Sequence, residues 1–154
     1  MKTISTFLML GLFFCGAALA EEKEMPPSIV RLDSGALNAV ELSPVTEYPF
    51  MQVVAGENPT AGSVNAFQSA DEKFEVGFYH GSEVTLRLSD WPVHEVMYFL
   101  EGQVEITDRK GSSQTFGPGD ALVMPKGFSG TWRQLSAIKK NKRHVPQRMI
   151  GRAF

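Results

Sequence analysis

The sequence predicts an all-β protein, a single domain built as a barrel or sandwich of short strands behind a cleavable N-terminal segment. Three observations carry that expectation. Short stretches alternate apolar and polar residues with a period of two, as in "EVTLRL" (83–88) and "VEIT" (104–107), the pattern of strands that lay one face on a core. Turn residues punctuate them at close spacing, at Gly102, Gly111 and Gly117-Pro118-Gly119, as they do between the strands of sandwiches and barrels. No window of helical length carries a stripe of apolar residues at i, i+3 and i+4. The chain has 154 residues, 43% of them hydrophobic and 21% charged, enough for one ordinary core.

The first element is "MKTISTFLMLGLFFCGAALA", residues 1–20. Lys2 gives a positive start, Phe7 to Ala17 is almost wholly apolar, and Ala18-Leu19-Ala20 precedes the polar "EEKE". That is the layout of a secretory signal peptide with its cleavage site. The apolar run falls short of the roughly 20 residues that a membrane span needs. Cleavage would remove one positive charge and no acidic residue, taking the net charge from −2 to −3. It would also remove Cys15, the sole cysteine, leaving no thiol for a disulfide, for catalysis or for a metal. The expected product is exported, periplasmic in a Gram-negative source and secreted otherwise, with no stable membrane anchor. Its acidic balance argues against a nucleic-acid partner.

Residues 21–62 are expected to be a leader followed by N-terminal wrapping segments. "EEKEMPPS" (21–28) is charged and Pro-rich, a loose start. The apolar runs "IVRL" and "FMQVV" are broken by Pro44, Pro49, Gly56 and Pro59, so they read as one or two edge strands or wrapping loops. The barrel proper is expected over residues 63–147. "FEVGFYH" (74–80) sets Phe74, Val76 and Phe78 on one side. "HEVMYFLEG" (94–102) is nearly all apolar, as a strand covered on both faces would be. "DRKG" (108–111) is a hairpin turn in which Gly111 is free to adopt positive φ. "SSQTF" leads to the Gly-Pro-Gly corner and "DALVM" follows. "LSAIKKNKRHV" (135–145) reads as a final strand, and residues 148–154 as a tail. The basic cluster Lys139, Lys140, Lys142, Arg143 and His144 fits a solvated edge strand, where charge discourages unwanted pairing.

Several residues have shape-based reasons of their own. The six residues between Glu95 and Gly102 cover roughly 20 Å at about 3.3 Å each, one barrel strand. Gly102 permits a tight turn into "QVEIT". Asp120 can cap backbone N–H groups at its corner. Pro125 ends a strand because it cannot donate to the ladder, and Gly127 relieves the bend beyond it.

Together, "FEVGFYHGSEVTLRL", "HEVMYFLEGQVEITDRKG" and "FGPGDALVMPKGFSGTW" resemble a small cupin, a jelly-roll β-barrel. The resemblance narrows to the cupins grouped with (S)-ureidoglycine aminohydrolase, which include an ethanolamine-utilisation cupin. It runs from about Phe74 to Trp132. It implies a jelly roll, a homodimer and, in the catalytic relatives, metal-assisted chemistry on a small polar substrate. Metal-binding cupins hold His-x-His shortly before the first-motif Glu, and a His three residues past the Pro-x-Gly of the second. Here the Glu is Glu95. The histidine places fall on Ser89 and Trp91, or on Leu88 and Asp90, and on Gly130. A lone carboxylate does not make a transition-metal site, so no metal and no other cofactor is expected. Gly130 is expected to leave an opening where an imidazole would have stood.

With three histidines in the chain, a rebuilt set of His80, Asp90 and Glu95 is conceivable. The plainer reading makes His80 and His94 polar positions at strand ends. Glu95 would serve as a proton donor or acceptor if any catalysis occurs, or be satisfied by a donor such as Arg87. Strand alternation puts Met97 and Phe99 on the face of Glu95, and Val96, Tyr98 and Leu100 on the other, packing outside or at a dimer contact. Trp91 and Trp132 could frame the mouth. The expected pocket is therefore Asp90, Trp91, Glu95, Met97, Phe99 and Trp132. The leading functional expectation is an exported, metal-free cupin that binds a small polar organic molecule. One alternative is an aminohydrolase, isomerase or lyase that is metal-dependent or uses Glu95 as acid–base. The other is a non-catalytic dimeric structural module.

Overall fold

Alternation fixes which side chains turn inward, and two sheets pressed face to face supply the cover that those side chains need. A computed structural model describes residues 28–144. The expected signal peptide and the expected tail lie outside the described residues. A 3-10 helix, Ser34–Ala39, comes first; Asp33 caps it by accepting the Gly35 N–H at 2.8 Å. Eleven strands follow: β1 (Ser43–Pro44), β2 (Met51–Ala55), β3 (Thr60–Gln68), β4 (Glu75–Gly81), β5 (Val84–Leu88), β6 (Glu95–Glu101), β7 (Val104–Asp108), β8 (Ser113–Phe116), β9 (Ala121–Met124), β10 (Gly130–Gln134) and β11 (Ile138–His144).

They form a six-stranded sheet, β1-β3-β4-β11-β6-β9, and a five-stranded sheet, β2-β5-β10-β7-β8. The pairings between these strands are antiparallel. The core lies between the two inner faces. Met97, Phe99, Met124 and Ile138 enter from the first sheet, and Val84, Leu86, Leu88, Val104 and Trp132 from the second. Phe99 anchors it, stacking on Phe116 and on Trp132 at centroid distances of 6.2 and 6.3 Å. Leu37 and Phe78 are also buried but stand apart from this cluster, where the 3-10 helix lies against β3 and β4.

Turn chemistry holds the corners. Asp108 Oδ1 accepts the N–H groups of Lys110 and Ser112, closing the β7–β8 hairpin, and Gly111 sits at φ +84. Asp120 Oδ2 accepts the Gly117 N–H at 2.8 Å, the cap expected of it. The N-terminal segments do more than wrap: β2 pairs with β5 at one edge of the smaller sheet, and β3 pairs with β4 inside the larger one.

The basic run departs most from expectation. β11 is an interior strand, paired to β4 on one side and β6 on the other. Its backbone is shielded by its neighbours rather than by its charges. Its side chains divide by face: Ile138 and Lys140 are buried, while Lys139 reaches Glu101 at 3.0 Å and Arg143 lies over the Phe74 ring. A register shift between Lys139 and Lys140 sets Lys140 opposite Phe99, whose ring points into the core.

Candidate functional site

Inside the barrel is a cavity of about 70 Å³, lined by Met51, Leu88, Trp91, Met124, Trp132 and Lys140 with three further neighbours, Tyr79, Leu86 and Met97. It has room for more than one water, which needs about 10–15 Å³ of such space. A second cleft of about 120 Å³ lies beside β8 and β9. Its one ionisable lining residue, Asp108, is engaged in the hairpin turn. The first cavity is therefore the one with chemistry in its wall.

That chemistry centres on Lys140. Two residues on from buried Ile138, it points inward on the same strand face. Its side chain is 8% exposed, and Nζ stands 3.7 Å from Glu95 Oε1, whose side chain is 7% exposed. Nζ also lies 2.9 Å from Met97 Sδ. Two ring faces flank it, Trp132 at 4.6 Å and Tyr79 at 5.1 Å from their centroids. Cation–π contact and one carboxylate are its compensation for lost water. Burial pushes its pKa below the ordinary lysine value; Glu95 opposes that shift, and the neighbouring charge of Lys142 adds to it. Burial also raises the Tyr79 hydroxyl to about 12, with the Glu95 carboxylate as the second cause.

The mouth is held by backbone clips between two loops. The Trp91 N–H donates to the Phe128 carbonyl and the Gly127 N–H to the Trp91 carbonyl, both at 2.8 Å. The Asp90 N–H donates to Ser129 Oγ at 2.8 Å, and Asp90 takes a left-handed φ of +55. Trp91 meets Phe50 edge to face. Its indole Nε1 is buried and has no hydrogen-bond partner among the described residues.

Of the residues expected in the pocket, Trp91, Met97 and Trp132 line the cavity. Glu95 is buried beside it through its pair with Lys140. Phe99 is fully buried and packs behind Trp132 instead of lining the space. Asp90 is exposed and serves the loop. Val96 and Tyr98 face outward. The partner of Glu95 is Lys140, whereas Arg87 projects outward from the other sheet between buried Leu86 and Leu88.

Gly130 leaves no opening. A Cβ built there would collide with the carbonyl oxygen of Thr107 and crowd the Phe128 ring. Strand β10 passes β7 too closely at that point for an imidazole. The donor set for a cupin metal does not fit this chain either. His94 is exposed and accepts the Lys126 N–H. His80 follows the cavity-lining Tyr79 and so takes the opposite face of β4. Among the described residues, no three His, Cys, Asp or Glu side chains are grouped to hold an ion.

Lys140 was missed by sequence reasoning because "KKNKR" has no charge period to separate its faces. The available signal was Ile138: alternation from a buried isoleucine puts residue 140 inside, provided that the strand is covered on both edges.

Two antiparallel sheets closed over a core with a polar pair in it define a protein of the cupin fold. Residues 68–141, most of the barrel, match the family model of EutQ-like cupin domains. Among solved structures, it is similar to a DUF861-family protein of unknown function from Pseudomonas syringae pv. tomato. That pair is 21% identical with a TM-score of 0.57, covering 68% of this chain and 44% of the other. It is also similar to a protein described as ethanolamine utilization protein Q from Salmonella typhimurium, at 16% identity and a TM-score of 0.50, covering 71% of this chain and 97% of that one. The chain thus spans less than half of the first relative and nearly all of the second. At these identities the likeness speaks for the fold. No curated protein matches.

Proposed function

We propose that the protein is an exported cupin that binds a small polar organic molecule in the barrel. The observation that carries this reading is the buried Lys140–Glu95 pair at the wall of an otherwise apolar, aromatic cavity. A fold gains little stability from burying such a pair and loses much if either partner is removed. A ligand with a polar end gives the pair a use. Trp91, with its unpartnered indole N–H, supplies a further donor at the same cavity, and the Trp132 and Tyr79 faces would bracket the ligand's body. The signal-peptide layout of residues 1–20 supports export to the periplasm or the medium. The exposed apolar residues of β6 and β9 support a homodimer.

Thermal-shift screening of the purified full chain with small sugars, amines, ureides and carboxylates tests the binding. A ligand at a hundred times its Kd adds about 2.7 kcal/mol to stability, a readily measured rise in Tm. The rise should vanish in Trp132→Ala and Lys140→Met. A rise that persists in both variants would place the ligand elsewhere.

A second reading is an enzyme of the aminohydrolase, isomerase or lyase kind. The proximity of Glu95 and Lys140 favours it, because a carboxylate and an amine 3.7 Å apart can exchange a proton across a bound substrate.

A further inference from the structure

We propose that Lys140 is a nucleophile, and that the barrel captures a small aldehyde or ketone as a reversible imine on its amine. This rests on the reading of the cavity as a small-molecule site, and it names the ligand class. Four features of the structure argue for it.

The first is position. Lys140 lines the cavity wall from an interior strand, so the amine is held in place instead of sweeping through solvent. Lysines on sheets ordinarily extend their stems and keep the charged head in water. Lys139 does so here, meeting the exposed Glu101. The second is the company of Nζ. An ammonium has three donors, yet within hydrogen-bond distance Nζ meets the thioether of Met97, a weak acceptor, at 2.9 Å. Such surroundings favour the neutral amine, the form that attacks carbonyl carbon. The third is Glu95, at 3.7 Å from Nζ. Catalytic contacts in the absence of substrate are commonly longer than in the reacting complex, or are bridged by one water. The fourth is ligand charge. A carboxylate bound on Lys140 would also face Glu95, whereas a neutral carbonyl carries no charge for Glu95 to repel. The cavity of about 70 Å³ limits the guest to a few non-hydrogen atoms.

The steps balance without any further reactant. The Nζ lone pair attacks the carbonyl carbon, a C–N bond forms, and the carbonyl π electrons move onto oxygen. Glu95 takes a proton from the nitrogen and passes it to the oxygen, forming a neutral carbinolamine. The nitrogen lone pair then forms the C=N bond as the C–O bond breaks, and Glu95 relays the nitrogen's remaining proton to the departing hydroxide, which leaves as water. The net change is amine plus carbonyl compound to imine plus water. Nothing is oxidised or reduced.

The test uses the full chain, propanal as the carbonyl probe and cyanoborohydride to fix any imine as a secondary amine, with peptide mass mapping as the readout. Lys140 should gain one propyl group ahead of the exposed Lys110 and Lys126. In Glu95→Gln its labelling should slow while the two surface lysines label as before. Intrinsic tryptophan fluorescence, titrated with propanal and with propan-1-ol, reports occupancy without covalent chemistry. Labelling confined to surface lysines, or no faster at Lys140, in a folded protein whose fluorescence responds would overturn the imine and leave the binding reading intact. A folded protein with no fluorescence response to either probe and no labelling at Lys140 would overturn both.

Discussion

A lysine and a glutamate facing one another inside a barrel constrain each other's mutations. Removing one partner of a buried pair strands the other charge, at a cost of about 3–5 kcal/mol, whereas replacing both with groups of similar volume is often close to neutral. Glu95→Gln alone should therefore destabilise the protein strongly. The double variant Lys140→Met/Glu95→Gln should recover most of the loss. Urea denaturation measures both; additive losses would show that the pair is not coupled. The same residues set the alkaline behaviour. The folded-state pKa of Lys140 is lowered, so the unfolded chain binds more protons between that value and the ordinary lysine value, and stability rises with pH across that window. Tyr79 acts in the opposite sense. Its pKa is raised from 10.0 to about 12, so its contribution is full below its unfolded value and is lost as pH climbs through the folded one. Stability should fall over that upper range, and Tyr79→Phe should flatten the fall in urea midpoints measured against pH.

Strands and turns were legible where two signals agreed. Alternation plus a glycine turn placed β5, β7 and the Asp108–Gly111 hairpin, because period and turn chemistry are both local. The inward set Met97 and Phe99 was legible for the same reason. Strand neighbours are not local, and there the sequence was silent. "IKKNKRH" looks like an edge because five basic residues invite solvent, but β4 and β6 close on both sides of it. That misplacement hid Lys140, and with it the partner of Glu95. Gly130 is a second case. Read against metal-binding cupins it is a missing ligand, but in the fold it marks the close approach of β10 to the Thr107 carbonyl. Gly130→Ala should cost about 1–3 kcal/mol, the usual range for overpacking, seen as a lower urea midpoint. Stability unchanged by the methyl group would mean that the strands are not so close.

At the scale of the whole molecule, the outer face of the larger sheet is unusually apolar along one side. Val96, Tyr98 and Val123 are 41, 44 and 63% exposed, and Val96 pairs with Val123 across β6 and β9. Because β9 is the edge of that sheet, a second copy could cover the patch. The double variant Tyr98→Glu/Val123→Glu should sediment as a monomer where the parent sediments as a dimer. A parent that is itself monomeric at high concentration would remove the dimer from the account. The chain has two tryptophans, and both line the Lys140 cavity, so their two indole N–H resonances observe that space directly. Two-dimensional ¹H–¹⁵N NMR during titration with a ligand found by thermal shift should move both indole peaks together, with the Trp91 resonance shifting as its N–H gains an acceptor. A ligand that raises Tm while both indole peaks stay fixed would contradict a binding site in the barrel.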